Sequence, residues 1–286
     1  MRGRRVTPAV VASAVLVLTV LTVVIHAMVT ASAMDWPVFR HYLFNPVIMR
    51  GVVTTFELTA YCEVLAIVTG ALVAAALMGA NPVWQIVGHA YQWVFRSIPE
   101  LAQLLFWFNL ALVFPHFSLG LPFGPSLYAT SMNTVMTPWV AAILGIGLHE
   151  GAYLAEVFRS GITTVGRGQT EAARVLGIPR RKIALRIVLP QAMRVIAPNA
   201  GSRLIGTFKL TSLASILAVA ELLYTVQAIY SANFETIPLL MVATVWYMSG
   251  VAVLRGLQHL LERRFGSRRS PTAAAIAVGF GDEEPG

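Results

Sequence analysis

The sequence predicts an all-α polytopic membrane protein with about six transmembrane helices, one near the N-terminus and five forming a core. Three observations predict it. Of 286 residues, 57% are hydrophobic and 12% charged, against about 25% charged in ordinary soluble domains, and the mean hydropathy is +0.70. Four windows, 6–34, 64–95, 101–149 and 236–254, contain no Asp, Glu, Lys or Arg, whereas a bilayer core needs only about 20 apolar residues in helical form. The alternating pattern of barrel strands is absent, and lipid-exposed backbone must satisfy its own hydrogen bonds, so the spans are helices.

In chain order the spans are expected at 8–33, 50–79, 86–114, 136–163, 197–223 and 236–260. The first is an apolar run behind Arg2, Arg4 and Arg5. Together with "ASA" at 31–33 it also resembles a cleaved signal peptide, but the run exceeds the usual h-region of about 7 to 15 residues, which favours an uncleaved span. The third and fourth spans share one long window, interrupted by Pro115, Gly120, Pro122, Gly124, Pro125 and Pro138; proline removes an N–H donor and clashes with the preceding turn. Pro190 and Pro198 bracket the return into the membrane before the fifth. Cys62 is the only cysteine, which excludes an intramolecular disulfide and any cysteine-based metal cluster. The stretch 266–286, with Gly, Pro, Ala and a terminal acidic run, reads as a disordered tail.

The basic residues set the sidedness. Three precede the first span, ten lie between Arg159 and Lys209, and five lie between Arg255 and Arg269, while Arg40 and Arg50 fall in a loop assigned outside. The positive-inside rule then places both termini and the 164–195 loop in the cytoplasm. The formal charge of +8 is a topology signal that requires no nucleic-acid partner. The chain accordingly divides into 1–49, with the basic end, first span and outside loop; a 50–265 core; and the 266–286 tail.

The loop segment "EAARVLGIPRRKIALRIVLPQ" at 171–191 sets Arg174, Arg180, Arg181, Lys182 and Arg186 against the single acid Glu171. Glu171 to Leu176 are good helix formers, with the acid near the positive end of the helix dipole. Gly177 suits a left-handed helix stop and Pro179 the first turn of the next helix, which runs to Val188 with Ile183, Ile187 and Val188 at helical spacing. Ala172 and Ala173 leave room for another backbone. Two roles fit this pattern equally: a helix seated in the groove of a cytosolic partner, or a basic amphipathic hairpin on anionic headgroups.

These residues also carry a resemblance. The run "GITTVGRGQTEAARVLGIPRRKIALRIVLPQAMRVIAPNAGSRLI" resembles the signature loop of membrane subunits in ATP-binding-cassette importers, through Gly168, Gln169, Glu171, Ala172, Ala173, Gly177, Leu189 and Pro190. The segments "GVVTTFELT", "FRSIPELAQLLFWFN", "GAYLAEVFRSGI" and "KLTSLASILAVAELL" are similar to the branch that imports polar amino acids. The resemblance covers about 50–265. It departs where Arg-Gly-Thr-Pro is usual and this chain has Arg96, Ser97, Ile98 and Pro99, followed by Glu100, and where Lys-Asp-Thr-Ser appears as Lys209, Leu210, Thr211 and Ser212.

The resemblance implies a type I importer fold in the cytoplasmic membrane of a bacterium. It implies a cytosolic ATPase dimer on the 171–191 loop, a second permease subunit of the same or a homologous chain, an external solute-binding protein and surrounding lipid. ATP and Mg belong on the ATPase, because this chain has no Gly-rich phosphate loop ending in Lys-Ser or Lys-Thr. No catalytic residue and no metal site are expected. A secondary transporter would show an inverted hydropathy repeat with broken helix pairs, and none is evident. A non-transporting membrane anchor would need only the basic loop. Within the importer reading, an opine, compatible solute or organosulfur compound is the alternative to an amino acid.

Intramembrane ionisable residues are the substrate-path candidates, since one unpaired charge near the bilayer centre costs at least about 2.5 kcal/mol. Glu57, Glu63, Glu100, Glu150, Glu156 and Glu221 fall in or near the spans. Glu150 in "HEGAY", beside Tyr153, is the first choice for an α-ammonium group, with Glu57 and Glu100 behind it and Arg96 or Thr54 for the carboxylate. Each acid has a second chemistry open to it, pairing with Arg96, Arg159 or Arg203 to join helices. Glu156 and Arg159, three apart, suit an intrahelical pair. His149 reads as a polar neighbour rather than a zinc ligand, because no second ligand is spaced for it. The aromatic run Phe106, Trp107 and Phe108 reads as packing surface.

Overall fold

The computed structural model describes residues 8–265 apart from residue 32 and residues 121–125. The basic residues Arg2, Arg4 and Arg5, the prolines and glycine at 122, 124 and 125, and the 266–286 tail lie outside the described residues. A polar residue with a proline one or two positions after it opens four of the helices. Asp35, Asn45, Asn81 and Thr137 accept hydrogen bonds from the backbone N–H groups of Val38, Val47, Val83 and Val140 at 2.9 to 3.3 Å. Each has a proline in the first helical turn, where the missing N–H costs nothing. They start α2 (Trp36–Leu43), α3 (Pro46–Met78), α4 (Pro82–Ser97) and α7 (Pro138–Thr163).

Ahead of these lies α1 (Pro8–Thr30), whose described side chains are all exposed, as a helix facing lipid requires. Helices α3, α7 and α12 (Thr236–Phe265) are long and apolar enough to cross a membrane. A bent pair of helices meets the same length and composition requirement when taken together. Residues 180–217 run continuously through α9 (Arg180–Ile183), a π turn at Ala184–Val188, α10 (Leu189–Leu210) and a 3-10 stretch at Thr211–Leu217. After a left-handed Ala218 at φ 60°, α11 (Leu222–Asn233) continues at 44° to it.

Three features depart from the sequence expectation. The span expected at 86–114 is two helices, α4 and α5 (Glu100–Phe108), because Pro99 between them has no N–H to return to the Phe95 carbonyl. The return into the core begins at Leu189 and Pro198 lies inside α10 rather than bracketing it; the Pro198 carbonyl accepts from Ser202 Oγ and from Gln258 Nε2 of α12. Between α5 and α7 the chain forms an antiparallel hairpin, β1 (His116–Gly120) and β2 (Ser126–Ser131), which pairs His116 with Ser131 and Leu119 with Tyr128. It is followed by the single turn α6 (Met132–Val135).

Helix α7 is the centre of the packing, against α3, α4, α5 and α10. Small residues make that possible. A Cβ on Gly147 would stand 3.0 Å from the Cys62 carbonyl oxygen, and one on Gly151 would collide with Thr69 Oγ1, so the α3 and α7 backbones approach closely only with glycine there. Leu58, Cys62, Leu104, Ile146, Ala214 and Leu217 close one core; Ile48, Val52, Leu222, Leu239 and Val242 close a second between α3, α11 and α12.

Candidate functional site

Helical spacing places His149, Glu150, Tyr153, Glu156 and Arg159 along α7. Glu150 is fully buried. Its carboxylate accepts two hydrogen bonds from Arg203 of α10, from Nε at 2.9 Å and Nη2 at 2.7 Å. A forked guanidinium matches a carboxylate in this way, and two charges leave water together only when so paired. The same guanidinium lies 4.2 Å from the Tyr153 ring centroid, and the Arg96 guanidinium, at the end of α4, lies 4.9 Å from it. Tyr153 thus holds two cations, one neutralised by Glu150 and one, Arg96, exposed and with no ion-pair partner among the described residues.

Beside this pair, Thr207 of α10 donates to Glu63 of α3 at 3.1 Å. On the other side, Glu100 opens α5 and its Oε1 stands 3.2 Å from His149 Nε2. Five helices therefore contribute to one polar cluster: α3, α4, α5, α7 and α10.

Of the predicted path residues, the structure brings together Glu150, Tyr153, Arg96 and Glu100. Thr54 and Glu57 lie earlier on α3; Glu57 is exposed and has no ion-pair partner among the described residues. Glu156 and Arg159 form an intrahelical pair, with Nη2 to Oε1 at 2.7 Å. Glu221 is buried as the cap of α11, accepting from Tyr224 N and from Tyr247 Oη, each at 2.7 Å. The residues that sequence reasoning passed over are Gln103 and Thr207. A glutamine in an otherwise apolar run, four residues after a helix-breaking proline, is the signal that could have found the first.

At one end of the molecule α7 leads into α8 (Arg167–Val175) and α9. Gly177 adopts φ +71°. Its N–H donates to the Arg174 carbonyl at 2.9 Å and that of Ile178 to the Ala173 carbonyl at 3.1 Å, the paired bonds of a Schellman stop. Ala173 and Ile183 are buried between the two helices, whereas Glu171 and Ala172 are exposed and Val175 and Leu176 are 88% and 77% exposed. Gly168 and Gln169 are exposed at the start of α8, where Gln191 Nε2 donates to Gln169 Oε1 at 2.7 Å, so the turn before Ala192 braces the loop. Leu189 and Pro190 form the first turn of α10.

The model of binding-protein-dependent transport system inner membrane components matches residues 66–267. The chain belongs to this family. Among curated relatives, the arginine transport system permease protein ArgU of Corynebacterium glutamicum is 37% identical over 272 residues, covering 94% of this chain and 84% of the relative. The L-cystine transport system permease protein TcyB of Bacillus subtilis is 30% identical, covering 83% and 94%. A crystal structure of an amino acid ABC transporter with histidines superposes with a TM-score of 0.67 at 25% identity, over 81% of this chain and 99% of that one. The methionine transporter MetNI in an inward-facing conformation shares the fold, with a TM-score of 0.63 at 18% identity. As a member of this family the chain is a predominantly helical permease subunit of an importer, an inner membrane component with a transport role.

Proposed function

We propose that the chain, paired with a second permease subunit, forms the path by which a polar amino acid crosses the cytoplasmic membrane. ATP and Mg are held by a separate cytosolic ATPase pair that docks on the α8–α9 loop, and an external solute-binding protein delivers the substrate. Both termini and the loop then face the cytoplasm, and the hairpin faces outside. The observation that carries this reading is the loop: a Schellman stop holds Glu171, Ala172, Val175 and Leu176 outward, leaving two large apolar side chains uncovered in the isolated chain, as a helix-in-groove contact needs. Nucleotide and loaded binding protein each favour one of two transporter states, and the loop couples them.

Within the path, Arg96 and Glu100 are the residues we assign to the substrate's carboxylate and ammonium groups. Both are accessible, with Glu100 39% exposed at its side chain. Glu150 serves as the buried partner that holds Arg203 against Tyr153, so substrate contact at Glu150 would first have to displace Arg203.

Purification of the tagged chain from its native membrane in mild detergent, with mass spectrometry of what accompanies it, tests the reading. A co-purifying ATPase that is lost in Glu171→Lys supports it. Retention of the ATPase by Glu171→Lys and Gly177→Val alike refutes the docking role. A co-purifying binding protein that loads an opine or other polar solute, and no amino acid, refutes the substrate class alone.

A further inference from the structure

We infer that Gln103 and His149 are positioning residues for transport: together they clamp the break between α4 and α5 and so fix Arg96 and Glu100, which flank it, relative to each other. This rests on the assignment of those two residues to the substrate. The need for a clamp follows from Pro99. Lacking an N–H, it leaves the Phe95 carbonyl without its helical partner, and Ile98, in extended conformation, leaves its carbonyl outside the helix as well. Carbonyls freed from a helix in this way need another donor, and here side chains supply it.

Gln103 Nε2 donates to the Phe95 carbonyl at 2.9 Å and to the Ile98 carbonyl at 2.8 Å, and His149 Nδ1 lies 2.9 Å from the Phe95 carbonyl. A carbonyl only accepts, so Nδ1 carries the hydrogen. The 3.2 Å approach of Gln103 Nε2 to His149 Nδ1 is then two donors converging on one oxygen. Both amide hydrogens being spent, the amide cannot be reversed without setting its oxygen against two carbonyls. Gln103 Oε1 is left as a buried polar atom without a hydrogen-bond partner. An acceptor in that state in a native core calls for a compensating role, and the clamp supplies it.

His149 joins the clamp to the rest of the site. With Nδ1 committed to Phe95, its Nε2 faces Glu100 Oε1, a contact that holds only with a proton between them, on the ring or on the carboxyl. The ring also packs on Tyr153, with centroids 5.1 Å apart. The charged groups facing His149 are thus Glu100 from α5, its neighbour Glu150 on α7 and Arg203 from α10. One end of the break is tied to α7 through His149, the other to α5 through Gln103.

Gln103→Met keeps the volume, removes the donors and also removes the unpaired oxygen. The first readout is the separation of nitroxides on R96C and E100C in a Cys62→Ala background, by continuous-wave spin-label broadening in the assembled transporter. The clamp predicts one narrow distance that spreads when Gln103→Met is added; an unchanged distribution overturns it. The second readout is substrate transported per ATP hydrolysed by the reconstituted complex. Displacement of positioned groups by about 1 Å predicts a loss of about tenfold or more in Gln103→Met, and in His149→Leu, with recovery in His149→Asn, whose amide N–H can replace Nδ1–H. Normal coupling in Gln103→Met and His149→Leu overturns the proposal. If Arg96→Ala and Glu100→Gln transport normally, the substrate assignment fails, while the spin-label result still decides whether the clamp exists.

Discussion

Replacing Arg203 by methionine should destabilise the folded chain more than replacing Glu150 by glutamine, although the two residues share one ion pair. Arg203→Met strands a carboxylate that is 1% exposed at its side chain. Breaking a buried pair from one side costs about 3 to 5 kcal/mol, because an uncompensated charge remains. The Arg203 side chain is 32% exposed, so water relieves part of the strain, and about 3 kcal/mol is expected at the lower end of that range. Glu150→Gln instead leaves a guanidinium that still reaches water and still stacks on Tyr153, and loses charge-assisted hydrogen bonds worth about 1.5 to 3 kcal/mol. The double variant should be nearer the parent than Arg203→Met, with a coupling energy of about 1.5 kcal/mol or more in a double-mutant cycle. Cys62 provides the assay: it is the only cysteine and is fully buried, so its labelling by a thiol-reactive dye during heating or in a denaturant series reports unfolding of this chain. If Glu150→Gln and Arg203→Met both leave stability within about 0.5 kcal/mol of the parent, the level of an ordinary surface substitution, while transport is lost, Glu150 is a substrate contact and its structural role is refuted.

Gly151→Val should cost about 1 to 3 kcal/mol by overpacking, since its Cβ would meet Thr69 and the Tyr91 hydroxyl; the same labelling assay measures it. Gly177→Val forces a β-branched residue to φ +71°, at about 1 to 2 kcal/mol of local strain, and should release the ATPase in a pull-down while Cys62 stays protected. Pro99→Ala returns an N–H to the Phe95 carbonyl and should straighten the break, bringing spin labels on R96C and E100C to the separation of helical neighbours, about 5 to 6 Å between Cβ atoms. An unchanged distance would mean that packing, not proline, sets the break.

What was legible in the sequence was what periodicity and charge encode. The apolar windows located α3, α7 and α12 to within a few residues at each end, and Gly177 marked the stop between α8 and α9. The break at Pro99 was missed because the apolar run on both sides averages out a single missing N–H, even though the proline was in plain view. Pro198 misled in the opposite direction. The N–H it lacks frees the Arg194 carbonyl, yet α10 runs on through it, because a membrane helix packed among its neighbours tolerates that loss, which no local rule anticipates. The hairpin escaped because its uncharged residues lie in the same long apolar window as the helices. For the site, composition could name the intramembrane acids but not choose between pairing and binding. That choice depends on which helix brings its arginine across, and Arg203 lies 53 residues from Glu150 in sequence.

That long-range pair also bears on how movement of the loop could reach the membrane core. Helices α7 and α10 are the two arms that the α8–α9 loop connects, and they are braced at two levels. At the base, Val165, Ala192 and Ile196 form a small core of their own, and a Cβ on Gly161 would stand 3.3 Å from the Ala192 carbonyl oxygen, so the two backbones nearly touch. Higher up, Glu150 and Arg203 bind the same arms; along α7 this is 13 residues above Thr163, or about 20 Å at 1.5 Å per residue. Two braces separated by that distance resist both sliding and splaying of α7 against α10, so under the proposed docking a force on the loop would reach both arms together. The polar cluster lies at the upper brace. Tyr153 and His149 on α7 contact Arg96 and Glu100 on α4 and α5, so any turning of α7 would be passed directly to the clamped break. The buried charges thus join α7 to α10 beside the residues proposed for the substrate, and under that proposal the costly pair has a mechanical reason to be there.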